Sequence, residues 1–337
     1  MLNFDEKIYK EASNYNINLK GEIDEVVDKV CKKGFKNIFL VGAGGTYSDM
    51  LEVEAVFKAY STLDVYIEIA AELYTLGNKH LTDESIVVVM SESGNTKEII
   101  KVLDYAKEIG AETIAFIGTP NSPIEKAADN HVRYMNTNET FMDHAFVNLY
   151  YLAFRFMHNN GEFPKYEQFM KEMKSLPEGL LQVRKDFDSV ADEYTEKYKD
   201  EKEFMISSTG NTWGAAYCFA MCILEEMQWL KTKSIHGAEL FHGTLELINR
   251  DTKMMLFKGE DATRPLMDRV ENFANKVCNH VTVFDTKDYP IEGISEEFRD
   301  LMSPFIVAAM MERLSKHFEE KRKHNLSIRR YYKVMDY

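Results

Sequence analysis

Glu226 and His242 stand sixteen residues apart in the run Glu226-Met-Gln-Trp-Leu-Lys-Thr-Lys-Ser-Ile-His-Gly-Ala-Glu239-Leu-Phe-His242-Gly243-Thr244. The run follows a helix-like stretch and precedes a strand-like one, so the spacing predicts a carboxylate at a helix end and an imidazole on the loop beyond it. Such a pair can divide base and acid duties near neutral pH when burial brings both pKa values towards it. That is equipment for moving a proton. The same spacing also suits an exposed glutamate and a loop histidine, and the pair by itself does not choose between the two readings.

A second constellation offers an anchor for a substrate. Ser91-Glu92-Ser93-Gly94-Asn95-Thr96-Lys97 joins the most apolar strand-like run to a helix-like one. Hydroxyls from Ser91, Ser93 and Thr96, a tight turn at Gly94 and the amides opening a helix together make a site for a phosphate monoester. No Gly-x-x-x-x-Gly-Lys pattern is present, so this is not a nucleotide P-loop. The alternative is a plain helix cap by Ser93 with Ser91 closing the strand, although a cap needs one hydroxyl, not three. Gly44-Gly45-Thr46 leaves the first strand in a similar way. A dinucleotide fingerprint would need glycine where Tyr47 stands, so this turn reads as a second wall of a sugar-phosphate pocket.

These turns need a frame. Asn37–Val41, Asp64–Ile69, Ser85–Met90, Glu112–Ile117 and His131–Met135 read as strands, with helices predicted over Tyr47–Tyr60, Lys97–Ile109 and Ser122–Ala128. Continuous apolar strands separated by helices predict a parallel sheet covered on both faces. A long helical region follows from about Thr140 to Tyr198, interrupted near Gly161 and Pro164. The strand-helix alternation then returns with Phe204–Ser207, a helix over Ala215–Leu230, Lys253–Phe257, a helix over Arg264–Cys278 and Val281–Phe284. Gly44-Gly45-Thr46-Tyr47 can be laid over Gly210-Asn211-Thr212-Trp213, a period of 166 residues that suggests duplication of a whole unit. The expected architecture is α/β, two tandem doubly wound, flavodoxin-like parallel-sheet units. Residues 1–160 would form the first, 161–200 a helical linker, 201–300 the second and 301–337 a C-terminal helix and tail. A cleft between the halves would be the natural place for a ligand.

At 337 residues, with 45% hydrophobic and 28% charged residues, the chain is an ordinary globular one. A formal charge of −14 argues against nucleic acid or an anionic membrane as partner, because both need a basic face. An anionic substrate would be held by local groups. No run approaches the roughly 20 apolar residues that cross a bilayer, and the N-terminus lacks a signal-peptide profile, so a cytoplasmic location is expected. Cys31, Cys218, Cys222 and Cys278 fit a reducing compartment. Cys218 and Cys222 could share a helix face, but no second ligand pair stands at zinc-site spacing, and no metal is expected.

The Ser-Glu-Ser-Gly-Asn-Thr loop, the Gly-Gly-Thr-Tyr turn, the spacing of Glu226 and His242 and the internal repeat together resemble the sugar isomerase (SIS) domain family over nearly the whole chain. Within it the match is to the fructosamine 6-phosphate deglycases of the fructoselysine 6-phosphate type. Gly-Ala-Glu239-Leu-Phe-His242-Gly-Thr-Leu-Glu is similar to a motif of that group, as is the tail from His324-Asn325 to Arg329-Arg330-Tyr331-Tyr332. The resemblance implies that Ser91, Ser93 and Thr96 hold the phosphate with Asn95 beside them, and that Gly44, Gly45, Thr46 and Glu92 lie near the sugar. It also implies that Glu239, His324, Arg330 and Tyr331 contribute to binding. Glu226 matches the catalytic glutamate and His242 the catalytic histidine, which relatives can supply from a neighbouring subunit; a homodimer or higher homo-oligomer is expected. Three departures stand out. Glu92 replaces a glutamine of the related synthase, Thr244 replaces a proline, and Ile223 occupies the place of the synthase's imine-forming lysine. Leu2 also stands where the synthase's glutaminase domain has its cysteine.

A deglycase substrate already carries its nitrogen, so the missing lysine favours that chemistry. The implied reaction converts a 6-phosphorylated fructosamine and water into glucose 6-phosphate and a free amine, with Glu226 shifting a proton from C1 to C2 and His242 assisting. The substrate's own nitrogen makes a metal or organic cofactor unnecessary. Nitrogen on C2 would give fructose 6-phosphate by the same machinery. An aldose-ketose isomerase is the first rival; a non-catalytic sugar-phosphate sensor is the second, although the acidic N-terminal segment leads almost directly into the first unit and carries no DNA-binding footprint.

Overall fold

The computed structural model describes residues 1–140 and 143–335. The apolar runs of the first half lie side by side as strands β1 (Asn37–Gly42), β2 (Val65–Ile69), β3 (Ser85–Ser91), β4 (Glu112–Ile117) and β5 (Asn130–Arg133). They form one parallel sheet in the order β2-β1-β3-β4-β5. β1 and β3 are buried along their whole lengths, as expected of central strands with helices on both faces. The helix Lys97–Ile109 shows how the cover is made: Ile99, Val102, Leu103 and Ala106 recur at helical spacing and pack on Val87, Val89 and Ile117. Each large side chain buried this way stabilises by roughly 1.5–3 kcal/mol.

The entry into the first sheet is less direct than expected. Helices Glu6–Ile17 and Lys20–Lys33 precede β1. Their buried residues, such as Ile23, Val27 and Val30, are spaced among charges that mask the periodicity. Arg155, on the helix Asp143–Asn159, grips Asp28 on the second of these through Nε to Oδ1 at 2.8 Å and Nη2 to Oδ2 at 2.7 Å. The later helices Tyr166–Glu172 and Leu176–Tyr198 complete the helical stretch, with Gly161 and Pro164 between elements as anticipated.

The chain divides into two compact units, Asp5–Pro177 and Met1–Phe4 with everything from Glu178 onward. The segment expected as a linker, 161–200, divides between them at 177/178. The second unit has strands β6 (Glu203–Ser208), β7 (Lys231–His236), β8 (Lys253–Lys258) and β9 (His280–Asp285), all parallel, in the order β7-β6-β8-β9. This is the order of the first sheet without its last strand, so the repeat extends from the motif to the topology. The superposed glycines agree in backbone as well, with φ of 60° at Gly44 and 58° at Gly210.

Two local expectations change. β7 lies between Glu226 and His242, where no strand was expected, and a short 3-10 helix, Thr244–Leu247, follows His242 where one was. β7 is an edge strand with Lys231 and Lys233 exposed, so it lacks the apolar run that marks the others. The helix expected over Ala215–Leu230 runs as α-helix only from Trp213 to Cys218 and then widens into a π-helix, Phe219–Glu225. The long helix Arg299–Arg322 closes this unit, buried without a break from Leu301 to Ser315. Arg184 Nε donates to Glu312 Oε2 at 3.0 Å, both groups inside the core, and joins it to the helix Leu176–Tyr198. Among the described residues no helix is long and apolar enough to cross a membrane.

Candidate active site

In the first sheet the chain leaves β1 towards β2 on one side and returns through β3 on the other, so the strand order reverses between β1 and β3. A crevice beyond the C-terminal strand ends at such a point is where ligands of open α/β sheets bind. Both predicted turns emerge there: Gly44-Gly45-Thr46 follows β1, and Ser91 to Thr96 follows β3.

The second turn is organised by its own hydroxyls. Ser91 Oγ, buried at the strand end, accepts the Gly94 N–H at 3.1 Å and lies 3.0 Å from Thr96 Oγ1. Ser93 Oγ donates to Asn95 Oδ1 at 2.7 Å. The helix cap is Thr96, not Ser93, and its side chain makes no capping bond. The simple capping reading of Ser93 therefore fails, and the amides that open the helix Lys97–Ile109 are not capped by the side chain of Thr96. Such amides favour an anion. Gly94 has φ of 63°, and a Cβ there would come within 2.2 Å of Ser122 Oγ, so only glycine permits the turn. The Glu92 carbonyl accepts the Thr119 hydroxyl at 2.9 Å while its side chain is exposed. Beside β1, Ala43 N donates to Thr46 Oγ1 and Thr46 Oγ1 lies equally far, 3.1 Å, from Ala43 O.

The corresponding place in the second unit is already filled. Counting from the ends of β3 and β8, Asp261 falls where Gly94 does and Thr263 where Thr96 does. Asp261 Oδ2 accepts the Asn211 N–H at 2.8 Å, and Oδ1 accepts the Thr263 N–H at 2.8 Å and its hydroxyl at 2.5 Å. A Cβ on Gly210 would come within 2.0 Å of that carboxylate. The protein's own anion occupies these amides, and the signal lay in the sequence as an acidic residue three positions beyond the strand end, where the first unit has glycine.

The proton-transfer candidates sit in the second unit. Glu226 follows the π-helix; its N–H bonds to Met221 O at 3.1 Å and the Gln228 N–H to Ile223 O at 3.0 Å, the long spacing typical of a π-bulge and often found at functional sites. Neighbouring carboxylates part here. Exposed Glu225 accepts the Thr232 hydroxyl, whereas half-buried Glu226 accepts Arg329 Nε at 2.8 Å. His242 ends a short 3-10 turn anchored by buried Leu240, and its N–H bonds to Glu239 O at 3.0 Å. Its ring and the Glu239 side chain are exposed. Among the described residues no hydrogen bond joins Glu226 to His242.

The tail meets this site through residues the sequence reading placed differently. His324 packs edge-on to Trp229 at 4.5 Å, its carbonyl accepts Gln228 Nε2 at 2.7 Å, and Arg330 stacks over the Trp229 ring at 4.0 Å. Burial pushes the His324 imidazole below its ordinary range, with Arg322 and Arg330 adding to the effect. Tyr331 is exposed. Arg329, absent from the expected binding set, makes the tail's contact with Glu226; its position next to Arg330 in the tail motif was the available signal.

Residues 34–157 match the family profile of the SIS domain. The fructosamine deglycase FrlB of Bacillus subtilis (strain 168) is 27% identical over 336 residues, covering 98% of each chain. The fructoselysine 6-phosphate deglycase of Escherichia coli (strain K12) is 23% identical over 310 residues, covering 92% of this chain and 89% of that one. A crystal structure from Bacillus subtilis described as a phosphosugar isomerase superposes with a TM-score of 0.90 at 27% identity, over 96% of this chain and all (100%) of the other.

Proposed function

On the premise that residues 34–157 form a SIS domain, we propose that this chain is a sugar-phosphate deglycase that takes a 6-phosphorylated fructosamine and water to glucose 6-phosphate and a free amine. The observation that carries the reading is the likeness to a fructosamine deglycase along 98% of both chains, taken with Ile223. Ile223 is buried in the π-helix and offers no amine to open a sugar as an imine. A substrate that brings its own nitrogen has no need of one.

The residues divide the work. The loop Ser91–Thr96 holds the 6-phosphate, with Gly44, Gly45 and Thr46 along the sugar. Glu226 takes a proton from C1 of the open-chain ketoamine, the electron pair moving into the C2 carbonyl to give an enaminol. Return of a proton to C2, with the nitrogen lone pair forming C1=N, leaves an imine that water adds to; the amine departs and the C1 aldehyde of glucose 6-phosphate remains. No net electron is gained or lost. His242 serves as the second proton carrier. Its exposure on a well-anchored turn supports a homo-oligomer in which each copy lends this imidazole to another. Co-expressing Glu226→Gln with His242→Asn tests that: mixed oligomers regain activity, whereas sites built within one chain stay dead.

The reaction is tested by incubating the protein with several 6-phosphorylated fructosamines and identifying the products. Glucose 6-phosphate and amine in equal amounts are expected. Interconversion of plain aldose and ketose phosphates without amine release would overturn the reading, and fructose 6-phosphate released from C2-linked amines would move the nitrogen to C2.

A further inference from the structure

We propose that the tail segment His324–Arg330 is the positioning device of Glu226, with Arg329 as the positioning residue and Trp229 as the fixed point against which the segment is set. Three of the four residues from Glu226 to Trp229 contact this one segment. Arg329 Nε meets Glu226 Oε1 at 2.8 Å, Gln228 Nε2 meets the His324 carbonyl at 2.7 Å, and Trp229 packs against His324 at 4.5 Å and Arg330 at 4.0 Å.

The guanidinium is itself held. Arg329 Nη1 donates to Leu326 O at 2.6 Å and Ile328 O at 3.1 Å, so the group is fixed to the tail's own turn and presents Nε to the carboxylate. A single contact to Oε1 sets the direction of the carboxylate and leaves Oε2 available to a proton. Trp229 has φ of 56°, a backbone conformation that a bulky residue keeps only when its surroundings impose it. His324 and Arg330, packed on the indole, supply that constraint, and Leu326 N–H is tied to Glu319 Oε1 at 2.9 Å on the preceding helix. The path from a rigid helix to the carboxylate is thus continuous. A π-helix end followed by a turn leaves a glutamate little support of its own, and a misplacement of about 1 Å in a reacting group can cost on the order of 10²-fold in rate.

The proton-transfer role of Glu226 belongs to the proposed function, and the inference rests on that reading for its kinetic consequence alone. Two measurements separate them. Amide hydrogen exchange over 324–330 needs no substrate: Arg329→Gln and Glu226→Ala should each speed exchange there, with thermal unfolding close to wild type. Kinetics of the wild-type reaction, whatever sugar phosphate it uses, should show kcat falling about 10²-fold in Arg329→Gln with KM within about threefold, and a partial return in Arg329→Lys. Trp229→Phe should preserve both properties and Trp229→Ala should lose them. Unchanged exchange in both contact variants would overturn the inference even if the deglycase reaction were absent. In an active enzyme, an Arg329→Gln variant with normal kcat, or one that raises KM alone, would overturn it too.

Discussion

Asp261 Oδ2 accepts the backbone N–H of Asn211 at 2.8 Å in the second unit, three residues beyond the end of β8, where the first unit has Gly94 at the matching step beyond β3. Two copies of one design have diverged at this point. Asp261→Ala should lower stability by roughly 1–3 kcal/mol, because it removes the acceptor of the Asn211 and Thr263 N–H groups. Urea unfolding followed by circular dichroism checks this, and a variant as stable as wild type would mean that water serves those amides equally well.

Ser91 and Ser93 should not be equivalent. Ser91 Oγ gathers Gly94 and Thr96 into the loop, while Ser93 engages Asn95 alone. Both alanine variants should raise KM for the sugar 6-phosphate by losing roughly 1–3 kcal/mol of binding, Ser91→Ala by more than Ser93→Ala. Unaltered affinity in both would remove this loop from the phosphate site.

Glu226→Gln should lose roughly 10² to 10⁴ in kcat with little change in KM, the usual worth of a positioned acid or base. Glu225→Gln should remain near wild type, since that carboxylate turns to Thr232. A dead Glu225 variant beside an active Glu226 variant would reverse the assignment.

Truncation after Lys323 should abolish turnover and leave the fold intact. The helix Arg299–Arg322 retains its buried face, but the Gln228, Trp229 and Glu226 contacts of the tail all disappear. Activity of the shortened protein, with unfolding temperature as control, decides this.

The Asp28–Arg155 pair predicts a defined acid sensitivity. The hydrogen bond from Arg155 holds the Asp28 carboxyl below its ordinary value of 3.8, against the opposing effect of burial. A depressed carboxyl contributes stability that is complete above the unfolded value and is lost as pH falls through the folded one. Asp28→Asn should therefore cost stability at pH 7, and the cost should shrink as pH falls below the ordinary carboxyl value of 3.8 towards the depressed one of the folded protein. Equal destabilisation across that range would assign its effect to packing.

The strands of both sheets were legible in the sequence wherever burial on two faces forces a continuous apolar run, as in Ile38 to Val41 and Ile86 to Met90. So was the repeat, because a strand that turns sharply into a helix needs glycine at 44 and again at 210. Local rules also placed Ser91–Thr96 between a strand and a helix and Glu226 at a helix end, as the structure has them. Edge strand β7 escaped because an edge can carry lysines, and the first two helices because charges dilute their apolar stripe. Only the tertiary structure could decide that Thr96 and not Ser93 starts its helix, that Asp261 closes the second turn, and that Arg329 rather than Arg330 reaches Glu226. The first turns on which of several nearby hydroxyls each loop group takes; the other two depend on a group arriving from a distant part of the chain, 50 residues away for Asp261 and Asn211 and 103 for Arg329 and Glu226. Sequence spacing records what a segment can do by itself; the partner that satisfies a particular carboxylate or amide is chosen when packing brings those segments together.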